Sequence, residues 1–294
     1  MTSVAVVAHA GKTLGGGLSE LRRVLAGAGI DDPAWFEVAK SKYAPDCVRE
    51  AVDGGADLLF VWGGDGMVQA CIDALRRPDV AIAILPAGTG NLLATSLGIP
   101  KDIAKAVHIG LHGRRRRLDV GVMNGEWFAA MAGTGFDATM VKEASSRAKD
   151  QLGRLAYLRS GVKAMRARSV RMKIHVDDEV WFTGKAACAL IGNIGRVTGG
   201  LRVFARASPS DGKLDVGVFT PKTAWQWLKV LVHEVTGQTE DSPQIETRRG
   251  KKIVITLERK RPYELDGGVR PRTDRLEVRV EARAITLCVP AAAN

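Results

Sequence analysis

Two apolar runs, each breaking into glycine, constrain this chain more than any other feature. Leu58-Leu59-Phe60-Val61-Trp62 runs into Gly63-Gly64-Asp65-Gly66, and a helix-like segment, Met67 to Leu75, follows. Val80 to Leu85 then runs into Pro86-Ala87-Gly88-Thr89-Gly90-Asn91. The order is strand, glycine loop, helix, strand, glycine loop, helix. Two such units in succession imply parallel strands that deliver both loops to one edge of a sheet. In open α/β sheets ligands bind at that carboxyl edge.

Such loops suit a polyphosphate. Glycine lets the chain turn tightly and brings backbone N–H groups close to a ligand. A helix start just beyond the loop leaves N–H donors unpaired and carries partial positive charge. The N–H groups of Gly63, Gly64, Gly66, Gly88 and Gly90 are therefore candidates to cradle phosphate. Asp65 would repel phosphate unless it holds a cation or takes a proton from an incoming hydroxyl. Thr89 and Asn91 offer neutral hydrogen bonds. The competing reading is that glycines after strands only make turns; two loops at consecutive strand ends, one carrying an Asp, weigh against it.

Gly63-Gly64-Asp65-Gly66 and Pro86 to Asn91 together resemble the catalytic domain of diacylglycerol kinases. That family includes soluble bacterial lipid kinases and is related to sphingosine kinases. More distantly it is similar to NAD kinases and phosphofructokinases. The resemblance continues through Gly135-Phe136-Asp137, Ser210-Asp211-Gly212 and Leu265-Asp266-Gly267, in order, over nearly the whole chain. It implies a Rossmann-like N-terminal domain that binds ATP with Mg²⁺ and a C-terminal antiparallel β-sandwich that receives lipid. The expected boundaries are residues 1–123 and 124–285, with 286–294 returning to the first domain. The implied reaction moves the ATP γ-phosphoryl group to a lipid hydroxyl, most simply that of diacylglycerol. A sphingoid lipid, NAD, or nucleotide binding without efficient turnover are the alternatives.

Net charge is +11 and the isoelectric point about 9.7, which suits nucleic acid, an anionic membrane surface or phosphorylated ligands. No zinc finger, basic zipper or RNA-binding signature is present, and aromatics at 5% leave little for base stacking. A specific nucleic-acid partner is therefore not expected, whereas peripheral contact with acidic lipid is. No apolar run approaches the ~20 residues that span a bilayer, and Val4 to Ala10 lacks the basic leader of a secretory signal. The isolated Cys47, Cys71, Cys188 and Cys288 read as reduced core cysteines of a cytoplasmic protein. A homodimer is left open.

Taken in order, Val4 to Ala8 is a strand that leads into His9-Ala10-Gly11-Lys12-Thr13. Gly11-Lys12-Thr13 is not a P-loop, because Val6 stands where that motif needs glycine. Lys12 is still a candidate nucleotide contact. By the resemblance Ser41 is another, and Asp211, with Ser208 and Lys213, would hold a structural Mg²⁺. Helices are expected over Ser19 to Ala28, Pro45 to Val52, from Pro100 to near Gly110, Thr139 to Arg168, and Thr223 to Val235. Arg114 to Arg117 reads as a solvated face at a domain boundary, with headgroup or nucleotide contact the functional alternative. Short strands dominate beyond it, as in a sandwich.

The sequence departs from the family pattern at four places. His9-Ala10 stands where the first loop of related kinases usually carries Asn-Pro. Gly268 stands where the family's Asp-Gly-Glu has a glutamate, often named as the proton acceptor. Asp266 or Asp65 then becomes the candidate base. Met67 replaces the usual Thr, and Gln69-Ala70 replaces Asn-Glu.

Overall fold

The computed structural model describes residues 3–135, 169–195, 203–220 and 245–291. Phe136, Asp137 and the expected helices Thr139 to Arg168 and Thr223 to Val235 lie outside them. The chain divides into two compact units, Met1–Val120 with Ala282–Asn294, and Gly121–Glu281.

In the first unit β1 (Val4–His9), β2 (Ala34–Val38), β3 (Leu58–Gly63) and β4 (Ala81–Pro86) form a parallel sheet. The last residues of β14 (Gly268–Val289) add a parallel edge, with Thr286 and Leu287 opposite Ala81 and Ile82. The strand order is β2-β1-β3-β4-β14. All six residues of β3 and of β4 are buried, as parallel strands covered on both faces require. Their continuous apolar runs follow from that burial.

Five helices flank these strands in sequence: α1 (Gly17–Gly27), α2 (Ala44–Asp53), α3 (Asp65–Leu75), α4 (Leu92–Ser96) and α5 (Ile103–His112). Leu21 and Leu25 of α1, and Ala106 and Val107 of α5, are buried. Gly110 lets α5 lie against the sheet: a Cβ there would come 2.2 Å from the Phe60 ring and 2.9 Å from the Ala83 methyl. The four arginines open a strand, β5 (Arg114–Met123). Arg114, Arg115 and Arg117 are exposed, as a solvated face requires, and Arg115 also donates Nη1 to the Gly110 carbonyl and to Cys288 Sγ, each at 2.9 Å.

The second unit is antiparallel. Its strands are β6 (Glu126–Phe128), β7 (Met131–Thr134), β8 (Val170–Val176), β9 (Glu179–Ala186), β10 (Cys188–Gly192), β11 (Leu214–Phe219), β12 (Ile245–Gly250), β13 (Lys252–Leu265) and the first part of β14. The order β12-β11-β10-β7-β13-β14 carries β8 and β9 beside β13. Alternate residues Met172, Ile174 and Val176 of β8 and Ile253, Ile255 and Leu257 of β13 pack with Val216 and Val218 of β11 into one core.

Three two-residue turns fix strand register here: Asn124-Gly125, Asp177-Asp178 and Asp266-Gly267. All six residues have positive φ, from 46° to 89°, as type I′ hairpins demand. The run from Trp127 to Ala132 is broken at Ala129-Ala130 into β6 and β7. The cause is Asp266, described below.

Gly110→Val should destabilise the chain by about 1–3 kcal/mol or more, because the methyls have nowhere to go beside Phe60. Gly27→Ala, with open space around it, should be neutral or slightly stabilising. Urea titrations of both variants test this; equal stability of Gly110→Val and wild type would contradict the close packing.

Candidate active site

The parallel sheet brings four loops to one edge. They follow β1 (His9 to Lys12), β2 (Lys40-Ser41), β3 (Gly63 to Gly66) and β4 (Pro86 to Asn91). The last two interlock. Ala87 N–H donates to the Gly63 carbonyl at 2.8 Å. The backbones of Gly64 and Gly88 touch: a Cβ on Gly88 would lie 2.5 Å from Gly64 Cα. Any side chain at Gly88 would force the loops apart.

Asp65 completes the interlock. Its Oδ1 accepts the Leu92 N–H at 2.6 Å, and the N–H groups of Asn91 and Leu93 face it as well. The carboxylate of the first loop therefore caps α4, the helix after the second loop. Burial pushes its pKa above the usual carboxylate value, against the opposing pull of those N–H groups. This differs from a carboxylate facing only ligand: one oxygen is committed to the fold.

Asn91 is likewise turned inward. Its Oδ1 accepts the Gly88 N–H at 3.0 Å and its Nδ2 donates to the Gly88 carbonyl at 2.6 Å. It is 3% exposed and closes the Gly88-Thr89-Gly90 loop rather than reaching outward. The Gly88 N–H is thereby consumed and is not a phosphate donor. Met67 is buried with its Cβ over Gly63, so it belongs to the core.

Several groups are left facing outward at this edge. Gly64 is the N-cap of α3, with no side-chain cap, and among the described residues no acceptor meets the Gly66 N–H. Ser41 Oγ lies 4.0 Å from where a Gly66 Cβ would be, so β2 carries Ser41 to the first loop. Thr89 is exposed. Lys12 sits in the β1 loop, its N–H held by the His9 carbonyl at 3.1 Å.

Two residues were missed from the sequence. Lys101, before α5, donates Nζ to the Thr89 carbonyl at 3.3 Å and so sets a cation beside the second loop. It is 12 residues from Thr89, too far for any local motif to flag. His9 accepts the Gly11 N–H on Nδ1 at 3.1 Å and its Cβ is 3.9 Å from where a Gly63 Cβ would be. Accepting on Nδ1 places the neutral ring's proton on Nε2. Partial burial, then the nearby Lys12 ammonium, lower its pKa below the usual value.

In the second unit the candidate base Asp266 has a structural role. Its Oδ1 accepts N–H groups of Ala130 (2.9 Å) and Met131 (2.8 Å), and its Oδ2 that of Ala129 (2.8 Å). The carboxylate is 4% exposed and holds the Ala129-Ala130 break between β6 and β7. Both oxygens of this candidate proton acceptor are turned into that bend. At Gly268 a Cβ would come 2.7 Å from Arg270 Nη1. That nitrogen is the far end of the Arg270 side chain, whose Nε donates to Glu126 Oε2 at 2.7 Å.

Nor do Asp211, Ser208 and Lys213 fit a structural Mg²⁺. Asp211 Oδ1 accepts the Lys213 N–H at 3.1 Å, and its Oδ2 is bonded by Arg249 Nη2. Ser208 Oγ lies 3.5 Å from Ser210 Oγ. A guanidinium stands against that carboxylate. Among the described residues no cluster of His, Cys, Asp and Glu is arranged to hold a metal. None of the four cysteines is in a disulfide.

The profile of the diacylglycerol kinase catalytic domain matches residues 4–123, and that of the YegS C-terminal NAD kinase beta sandwich-like domain matches residues 130–289. This chain belongs to the diacylglycerol kinase family of lipid kinases. It is 33% identical over 228 residues to a protein of Cronobacter sakazakii named a probable YegS-like lipid kinase, covering 75% of this chain and 74% of that one. A crystal structure of a diacylglycerol kinase from Bacillus anthracis superposes with a TM-score of 0.74 at 21% identity, covering 99% of this chain and 98% of that one. An NAD kinase from Archaeoglobus fulgidus in complex with ATP shares the fold at TM-score 0.53 and 10% identity, over 97% and 93% of the two chains. No helix of the described residues is long and apolar enough to cross a membrane.

The His9 contact predicts a pH dependence. Its folded-state pKa is depressed, so the folded chain binds fewer protons there than the unfolded chain. The stabilisation is present above the ordinary histidine value of about 6.5 and is lost as pH falls through the lower folded value. His9→Ala should melt below wild type at about pH 7.5, and the gap should close near about pH 5. A gap that widens in acid would contradict the Gly11 contact.

Proposed function

We propose that this lipid kinase transfers the γ-phosphoryl group of magnesium-bound ATP to a hydroxyl of a membrane lipid, with diacylglycerol the simplest acceptor and phosphatidic acid the product. The observation that carries the reading is the interlocked pair of glycine loops at the carboxyl edge of the first sheet. They leave an uncapped helix start at Gly66, the Ser41 and Thr89 hydroxyls, and the Lys12 and Lys101 ammonium groups along one edge. Phosphoryl transfer asks chiefly for alignment and charge neutralisation, and these groups supply both. Magnesium would travel with the nucleotide and neutralise its β- and γ-oxygens.

In this reading the Gly66 N–H and the α3 terminus receive phosphate. Lys12 and Lys101 offset its charge, and Ser41, Thr89 and Gly90 orient it. Asp65 stands at the junction of the two loops. Its raised pKa makes it a better proton acceptor than an exposed aspartate. A net charge of +11 draws the protein to an anionic membrane surface, where the lipid acceptor resides.

One observation favours a second reading. With Asp266 turned into its bend and Gly268 lacking a carboxylate, nucleotide binding with slow turnover also fits. Measuring labelled phosphate transfer from ATP to detergent-dispersed diacylglycerol, alongside calorimetric ATP binding, separates the two.

Asp65→Asn keeps an acceptor for the Leu92 N–H and should remain folded, yet lower phosphoryl transfer by about 100-fold or more. Asp65→Ala should also cost about 1 kcal/mol of stability through the lost cap. Full activity of Asp65→Asn would reduce the residue to a cap.

A further inference from the structure

The carboxylates of Asp211 and Asp215 are bridged by one arginine. Arg249 Nε donates to Asp215 Oδ2 at 3.2 Å, and Arg249 Nη2 is bonded to Asp211 Oδ2. Asp215 and Arg249 are direct cross-strand partners on β11 and β12. The arrangement is sheltered: side-chain exposure is 6% for Asp215, 25% for Arg249 and 32% for Asp211. The turn that enters β11 is thus tied to β12 by a planar fork between two anions. One guanidinium thus serves as counter-charge to both carboxylates.

We infer that Arg249 is the resident cation of this turn, standing where a divalent ion would otherwise sit, so the second unit folds without a structural metal. Asp211 and Asp215 then form a latent site for a hard cation, Mg²⁺ or Ca²⁺, which opens only when the guanidinium is removed. The two carboxylates and the turn's carbonyl groups are oxygen donors of the kind those ions take. The inference does not depend on which acceptor the kinase uses, because it concerns stability and not transfer.

The test uses the full chain without nucleotide, so that no ATP-bound magnesium contributes. Scanning calorimetry should give wild type one melting temperature in EDTA, in Mg²⁺ and in Ca²⁺, and elemental analysis should find no stoichiometric divalent ion. Arg249→Ala should melt about 5–10 °C lower in EDTA, as expected for breaking a sheltered ion pair in a unit of this size. Mg²⁺ or Ca²⁺ at millimolar concentration should restore part of that loss, and Asp211→Asn added to Arg249→Ala should abolish the restoration. Arg249→Lys keeps the charge without the fork and should fall between, which preserves the test if the alanine variant does not fold. EDTA lowering the wild-type melting temperature would overturn the inference. So would an Arg249→Ala variant as stable as wild type in EDTA, or one that neither ion restores.

Discussion

The candidate site rests on the contact of Gly64 and Gly88, backbone against backbone. No side chain intervenes, so the loops after β3 and β4 behave as one surface. The Gly63 carbonyl, Asp65 and Asn91 then lock that surface from three sides. The consequence is economy of donors. N–H groups that the fold needs, at Ala87, Gly88 and Leu92, are satisfied internally, whereas α3 starts at Gly64 with no side-chain cap. Motifs that read as two successive phosphate loops are two halves of one built edge.

A second theme is the fate of the carboxylates. Asp65 caps α4, Asp266 gathers three N–H groups at a bend, and Asp211 with Asp215 flanks Arg249. Each is partly or wholly sheltered, and a sheltered carboxylate must find donors or a counter-charge. Nearby backbone N–H groups and a cross-strand arginine supply them. Among these carboxylates, Asp65 stands at the junction of the two glycine loops and has its pKa raised by burial.

The three type I′ turns show how local chemistry sets register. Asn-Gly and Asp-Gly are the dipeptides that tolerate two positive φ values in succession, and both were present to be read. Asn124-Gly125 marks the β5–β6 hairpin and places Glu126 opposite Met123, from where it reaches Arg270. The pairing of Glu126 with Arg270 spans 144 residues and no dipeptide announces it.

By itself the sequence determined the parallel sheet, its glycine loops and the antiparallel second half, because those follow from runs of apolar residues and from where they break. It also carried the family, whose motifs lie in order along the chain. Only the tertiary structure decided what Asp65, Asn91, Asp211 and Asp266 do. A carboxylate's role depends on which donors come within 3 Å of it. Those donors, Leu92, Arg249 and Ala129 to Met131, lie from 27 to 137 residues away along the chain. Spacing in a sequence encodes periodicity along one element; it does not encode the meeting of two.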